Sequence, residues 1–354
     1  MEYHSGPIAV FKCNAALGVE LKPLQTPIAS LSITQKDLLI DMAPTILIAG
    51  ATGNTGRSVV ETLPELLKGT ELSSHRIIAL TRSANSAAAK TLAELPGVEI
   101  VEQNWVEINE HWLRQHNVAR IFIASHNQPN AFAEEGQFLV NALRAGVKYV
   151  VRISTTAANV RPDISVYYPR THWAIEQMLS QPEFNGMHWS SLQPNGFAPM
   201  FLTPTAEFIK EFKKTGKQGH ISLIIDASTP TALIDSYDVG VVAAHLLAEE
   251  KTEAHDQKRY VLNGPVDTTG EEIVKLAEQY IGEPVKDVRY KDLSFIDDMA
   301  NNSSESKNVM LSIKDAPVTS WQGKAKADTT SKEILELYAP KRTVSEVLKE
   351  LVEG

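Results

Sequence analysis

The amino-acid sequence predicts an α/β fold, a doubly wound parallel sheet carrying a smaller C-terminal α+β lobe. Three observations predict it. A short apolar run, TILIA at residues 45–49, passes straight into the glycine-spaced segment GATGNTG and then into an amphipathic helix. Strand-like and helix-like segments then alternate as far as the strand that ends near Asn195. Beyond Asn195 that rhythm weakens and shorter, mixed segments take over. Strands buried on both faces by crossover helices read as continuous apolar runs, which is the pattern of the first half.

Composition narrows the function classes. The 354 residues are 43% hydrophobic and 22% charged, enough for a sizeable core in one large or two modest domains. A formal net charge of -9 offers no basic surface, so no direct nucleic-acid partner is expected. No apolar run reaches membrane-spanning length. The single cysteine, Cys13, excludes a disulfide framework and fits a reducing, cytoplasmic setting. No His/Asp/Glu group has metal-ligand spacing, and there is no G-x-S-x-G elbow. Residues 1–41 show no sustained period and contain no arginine. They are expected to be a disordered or non-native extension ahead of Met42, with an arm packed on the body as the alternative.

Taking the elements in order, Thr45 to Gly50 reads as a buried parallel strand. Gly50 permits the tight turn out of it, Gly53 lets the backbone approach a pyrophosphate, and Gly56 lets the next helix pack closely on the sheet. With Thr52, Asn54 and Thr55 they form a phosphate loop, because the helix that follows presents free N–H groups and a positive dipole end. The Rossmann-type domain is therefore placed at 42–195. The second strand, HRIIALTRS, ends in Thr81, Arg82 and Ser83, where NAD-specific folds usually carry an acid. With no carboxylate there and Arg82 able to pair with a 2′-phosphate, NADP(H) is the expected cofactor. Lys90 on the next helix is a second candidate cation.

GVEIVEQ, ARIFIASHNQPN, KYVVRISTTAA and MHWSSLQPNGF supply the next four strands, with helices NEHWLRQHN, AEEGQFLVNALRAGV and PRTHWAIEQMLSQ between them. Ligands in such sheets sit beyond the strands' carboxyl ends. Those ends place Ser125, Thr155, Pro194, Asn195 and Phe197 near the cofactor, and His126, Asn127 and Gln128 near substrate. Met200 and Phe201, with Phe197 and Pro199, read as an apolar wall for a bulky substrate or as core. Asp235 and Asp238 read as helix caps. Residues 196–354 form the substrate lobe, interleaved with the first domain. It contains helix TAEFIKEFKKTGK, strand QGHISLIIDAS, an exposed loop or lid around NNSSESKN within 293–328, and two short helices around Pro340.

These segments resemble the NmrA-like family of the atypical short-chain dehydrogenase/reductase superfamily. The resemblance rests on ILIAGATGNTGRSVVE, LTRS, GVEIVE, ALRAGVKYVVRISTTAA, HWAIEQML and LQPNGFAPMF, with IDSYDVGVVAAHLLAEE and YVLNGPVDTTGEEIVKLAEQYIGEPV beyond them. It implies NADP(H) binding by Gly50, Gly53, Gly56 and Arg82, and a nicotinamide-side role for Pro194 to Phe197. Members of the family either reduce quinones, ketones or imines, some in fungal secondary metabolism, or bind NADP(H) as regulators without turnover.

The catalytic stretch departs from the superfamily. Short-chain reductases pair a tyrosine with a lysine four residues on, and the lysine lowers the tyrosine's pKa. Here Tyr168 is followed by His172 and then Glu176 at the same interval. Pro169 suits the first helical position, which puts Tyr168 at or before the helix cap. His172, raised or oriented by Glu176, is then a candidate proton donor alongside Tyr168. The alternative is a packing histidine and a solvated glutamate. The expected function is an NADPH-dependent oxidoreductase acting on a hydrophobic carbonyl, quinone or imine. A non-catalytic NADP(H) sensor with a protein partner, and a cofactor-binding cyclase or isomerase, are the alternatives. Homodimerisation is left open.

Overall fold

The computed structural model describes residues 43–354. The expectation for residues 1–41 lies outside the described residues. Seven parallel strands form the main sheet. They are β1 (Thr45–Ala49), β2 (Arg76–Thr81), β3 (Val98–Glu102), β4 (Val118–Ile123), β5 (Tyr149–Ile153), β6 (His188–Pro194) and, after a short β7 (Ile221–Leu223), β8 (Lys258–Leu262). Their spatial order is β3-β2-β1-β4-β5-β6-β8. The connections therefore reverse direction between β1 and β4, the switch point at which open α/β sheets bind ligands.

Strand alternation assigns the two faces. Ile46 and Ile48 of β1 pack under helices α1 (Gly56–Leu66) and α2 (Ala87–Ala93). Leu47 and Ala49 pack the other way, against α3 (Glu110–Gln115), α4 (Ala131–Ala145) and α5 (Tyr167–Leu179). Successive side chains on a strand point to opposite faces, so one apolar run fills two cores.

The chain crosses into the second lobe and back. α6 (Ala198–Thr215) leaves the sheet, but α7 (Ser236–Ala248) returns to pack on α1, and β8 then joins β6. The close α1–α7 approach needs Gly240, where a Cβ would lie 2.2 Å from the Thr55 carbonyl oxygen. The lobe itself has β7 paired in parallel with β9 (Val288–Tyr290), packed by α6, α8 (Gly270–Ile281) and, further on, α13 (Val344–Glu353). Between α8 and α13 lie α9 (Ser294–Asn302), α10 (Lys307–Leu311), α11 (Val318–Trp321) and α12 (Lys332–Tyr338). Among the described residues no helix is long and apolar enough to cross a membrane.

Three sequence expectations need correction. The helix expected from Thr205 begins at Ala198 with Phe197 as its cap, because Pro199 is tolerated in a first turn. Residues 293–328 are not one continuous loop, since about half of them form the short helices α9 to α11, but the polar NNSSESKN stretch within them is largely exposed and holds the break between α9 and α10. α9 buries Ile296 and Ala300, α10 buries Met310 and α11 buries Thr319. Asp235 caps α7 as expected, accepting from the Tyr237 N–H at 2.8 Å. Asp238 instead accepts from the Lys341 and Arg342 N–H groups, both at 2.8 Å, and so ties the C-terminal segment to α7.

Candidate functional site

A cleft of about 1400 Å³ lies beyond the carboxyl ends of β1, β2, β4, β5 and β6 and under the second lobe. The cofactor-side and substrate-side residues singled out above line it, apart from Gly56, Lys90 and Pro199. Tyr168 and His172 line it too, whereas Glu176 does not.

The phosphate loop is built from backbone geometry. Gly50 has φ +89°, the left-handed conformation that a side chain disfavours. That turn lets the Gly50 carbonyl accept from the Gly53 N–H at 2.9 Å. A Cβ on Gly56 would lie 2.1 Å from the Gly50 oxygen, so this position holds helix against loop and does not face the cleft. Thr55 precedes α1 with no side-chain cap, and the helix has no acid in its first turn. An eleven-residue helix with no side-chain cap and no acid in its first turn, entered through loop residues Thr52 to Thr55 that line the cleft, suits a pyrophosphate. These residues fit a dinucleotide.

The strand ends divide the remaining work. Arg82 is exposed at the cleft, and among the described residues no carboxylate pairs with it. Glu102, from the end of β3, braces the adjoining turn by accepting from the Ala84 N–H at 2.8 Å. Asn195 is largely committed to the protein, since its amide donates to the Ala232 carbonyl at 2.7 Å and ties the second lobe to β6. Ser125 donates to Glu135 at 2.5 Å. His126 accepts from the Gln128 N–H through Nδ1 at 3.1 Å and meets Glu134 through Nε2 at 2.5 Å. Opposite them, Phe197, Met200, Phe201, Phe295, Ile296 and Met299 supply an apolar wall. Met200 and Phe295 are 60% and 48% exposed, so this wall is apolar surface accessible from the cleft.

The stretch around Tyr168 differs from its expected form. α5 starts at Tyr167 with Val166 as its cap, so Tyr168 is inside the helix and Pro169 occupies its third position. A proline fits there too, because the first turn has no intrahelical acceptor for its missing N–H. The Thr155 hydroxyl is close enough to the Tyr168 phenol to act on its pKa as a hydrogen-bond neighbour. Burial pushes the phenol up to about 12, against the lowering effect of that neighbour.

His172 is 3% exposed. Its Nδ1 lies 2.8 Å from the Arg152 guanidinium and its Nε2 lies 3.1 Å from the Asn127 side-chain oxygen. Burial, reinforced by the Arg152 charge, holds its pKa well below the ordinary histidine value. The expectation that Glu176 raises or orients His172 therefore fails. Glu176 is 1% exposed, not solvated, and bonds to Ser191 at 2.7 Å, Gln193 at 3.2 Å and Arg259 at 3.0 Å.

Two residues central to this arrangement escaped the sequence reading. Arg152 is fully buried in β5 and donates to Glu135 at 2.6 Å and Ser191 at 2.9 Å. Glu135 is fully buried on α4. The available signal was a charge at an apolar position in each case: Arg152 within KYVVRIS, and Glu135 on the inward face of its helix. Buried charges are rarely found unpaired, so two such positions in neighbouring elements point to each other.

Comparison with known proteins places the chain. A curated relative, the (4-alkanoyl-5-oxo-2,5-dihydrofuran-3-yl)methyl phosphate reductase of Streptomyces griseus, is 23% identical over 249 residues, covering 68% of this chain and 75% of the relative. The NADPH complex of an NADPH-dependent quinone oxidoreductase from Escherichia coli superposes with TM-score 0.63 at 21% identity, covering 86% of this chain and 99% of that one. The NADP(H) complex of a triphenylmethane reductase from Citrobacter sp. gives 0.62 at 19% identity, over 87% and 99%. Such structural likeness establishes the Rossmann-like α/β fold. The NmrA-like family model matches residues 42–348, most of the chain, and on that match this protein belongs to the NmrA-like family.

Proposed function

We propose that this protein is an NADP(H)-dependent oxidoreductase that reduces a hydrophobic small molecule at a carbonyl, quinone or imine group. One observation carries the reading. A single cleft joins an uncapped glycine loop and a free arginine to a hydroxyl pair, Thr155 and Tyr168, and to an apolar wall. The relatives named above, a quinone oxidoreductase, a triphenylmethane reductase and a furanone phosphate reductase, act by reduction. The uncapped loop would hold the pyrophosphate and Arg82 the 2′-phosphate. When bound, NADPH supplies the hydride.

The chain's own residues supply orientation and the proton. Tyr168 gives its phenolic proton to the substrate oxygen or nitrogen as the adjacent carbon is reduced, and water restores it. With no lysine beside it, the phenol stays protonated at neutral pH and yields its proton only to a strongly basic acceptor such as a forming alkoxide. Thr155 holds the phenol toward the cleft. His172, buried and neutral with both ring nitrogens engaged, orients neighbours instead of delivering a proton. Among the described residues no charged side chain lines the cleft on the second-lobe side, from Pro194 to Ser320, which favours an uncharged apolar substrate over a phosphorylated one. A tailoring step in secondary metabolism is a setting that suits such a substrate.

The test follows NADPH absorbance with a panel of quinones, ketones and cyclic imines. Substrate-dependent oxidation, reduced at least about 100-fold for carbonyls in Tyr168→Phe, is expected. Saturable NADPH binding without turnover across the panel overturns the enzyme reading in favour of a cofactor-binding regulator.

A further inference from the structure

We propose that Asn127 is a second hydrogen-bond donor to the substrate's reducible group, that the group is therefore an oxygen, and that a buried Arg152–His172 chain sets the orientation of the Asn127 amide. The inference rests on the oxidoreductase reading above and narrows its substrate class.

The polarity of the chain follows from donor chemistry. A guanidinium only donates, so the 2.8 Å contact with Arg152 makes His172 Nδ1 an acceptor. The imidazole is neutral, and its proton therefore sits on Nε2. That N–H donates to the Asn127 Oδ1 at 3.1 Å. The amide is thereby held with its oxygen toward His172 and its NH2 turned away. Among the described residues nothing accepts from that NH2, and Asn127 lines the cleft with Tyr168. The Asn127 carbonyl also accepts from the Tyr167 hydroxyl at 2.6 Å. Residue 127 is thus pinned twice to the helix that carries Tyr168, once on each side of it in sequence.

The support behind His172 is unusually costly. Arg152 and Glu135 are 0% exposed and Glu176 is 1% exposed. Buried ion pairs stabilise folds little compared with apolar packing, and their best-attested use is to specify one arrangement. Here the arrangement specified is the direction of the Arg152 fork, and through it the ring of His172 and the amide of Asn127.

Two donors suit one kind of acceptor. A carbonyl or quinone oxygen has two lone pairs and gains negative charge as its carbon is reduced, so it takes both the Tyr168 hydroxyl and the Asn127 NH2. An imine nitrogen has a single lone pair and takes one donor. Asn127 is thus assigned a direct contact with substrate, and His172 and Arg152 are positioning residues.

The experiment compares wild type, Asn127→Ala, His172→Phe and His172→Gln, with NADPH affinity measured separately from turnover of matched ketones, quinones and cyclic imines. Asn127→Ala is expected to lower kcat for ketones and quinones about 100-fold or more, the usual cost of losing one such donor, with NADPH affinity unchanged. His172→Phe is expected to lose as much, and the double variant no more than either single one. In His172→Gln, the amide oxygen accepts from Arg152 and the amide NH2 donates to Asn127, so most of the rate should return. Wild-type carbonyl turnover in Asn127→Ala overturns the proposal. So does a parallel loss of NADPH affinity, which would make Asn127 a cofactor contact, or an imine preferred over its matched ketone in wild type. Absence of turnover in wild type with every substrate overturns the oxidoreductase reading itself, and this proposal with it.

Discussion

Replacing Arg152 by methionine removes the cation between two buried carboxylates, and the structure fixes how much that should cost. Glu176 would keep Arg259 at 3.0 Å, Ser191 at 2.7 Å and Gln193 at 3.2 Å. Glu135 would keep only the Ser125 hydroxyl at 2.5 Å among the described residues. One charge thus remains largely compensated and the other is stranded inside the protein. Breaking a buried pair from one side costs about 3–5 kcal/mol, mostly the penalty of the charge left behind. Against a typical folding free energy of about 5–15 kcal/mol, that is a large fraction. Urea unfolding at neutral pH measures it as a lower midpoint with an unchanged slope. Adding Glu135→Gln removes the stranded charge, so the double variant is expected to be more stable than Arg152→Met alone, a clear departure from additivity. A loss under about 1 kcal/mol, the range of exposed pairs, would refute the reasoning, as would a double variant destabilised by the sum of the two single ones.

Arg82→Ala should weaken NADPH binding by about 10-fold or more while leaving NADH nearly unaffected, as calorimetry with both cofactors can read; equal losses would contradict the 2′-phosphate role. Gly56→Ala places a methyl group 2.1 Å from the Gly50 oxygen, so loop and helix must separate. It should cost about 1–3 kcal/mol in stability and reduce affinity for both cofactors alike, and unaltered binding would speak against the loop. Stability should also fall on mild acidification. Burial depresses the pKa of His172, and likewise those of His75, His245 and His255, so the unfolded chain binds more protons below its ordinary histidine pKa of about 6.5. The contribution of His172 is fully present above that pH and is lost as pH drops below it, by about 1 kcal/mol over the first unit. His172→Gln should flatten that slope, and an identical pH dependence would show that the residue is not held neutral.

The parts of the molecule that follow from local periodicity were legible in the sequence. Four main-sheet strands, β1, β2, β4 and β5, lie in apolar runs, and six of the seven strands could be placed in chain order. The glycines of residues 50–56 carry their roles in their spacing, because a left-handed turn and a close helix approach tolerate little else. What the sequence did not disclose depends on who meets whom. Glu135 and Arg152 are 17 residues apart and appear as isolated charges until α4 and β5 are packed. His172 and Glu176 sit one turn apart on one helix, yet they do not bond to each other: Arg152 of β5 reaches both, and Glu176 is held further by Ser191, Gln193 and Arg259. Pro169 could mark either the first or the third position of its helix, and only the packing of Val166 and Tyr167 decides between them. Helices α10 and α11, at five and four residues, are too short to show a helical period.

The measurement that tests the account most directly is transfer of label from NADPH deuterated at the nicotinamide C4 into a ketone identified by the turnover panel. The account predicts deuterium on the carbinol carbon from one C4 face only, with stoichiometric loss of NADPH absorbance. It also predicts loss of both signals in Tyr168→Phe under conditions where NADPH still binds. Product free of deuterium, or NADPH that binds tightly and is never consumed, would contradict it.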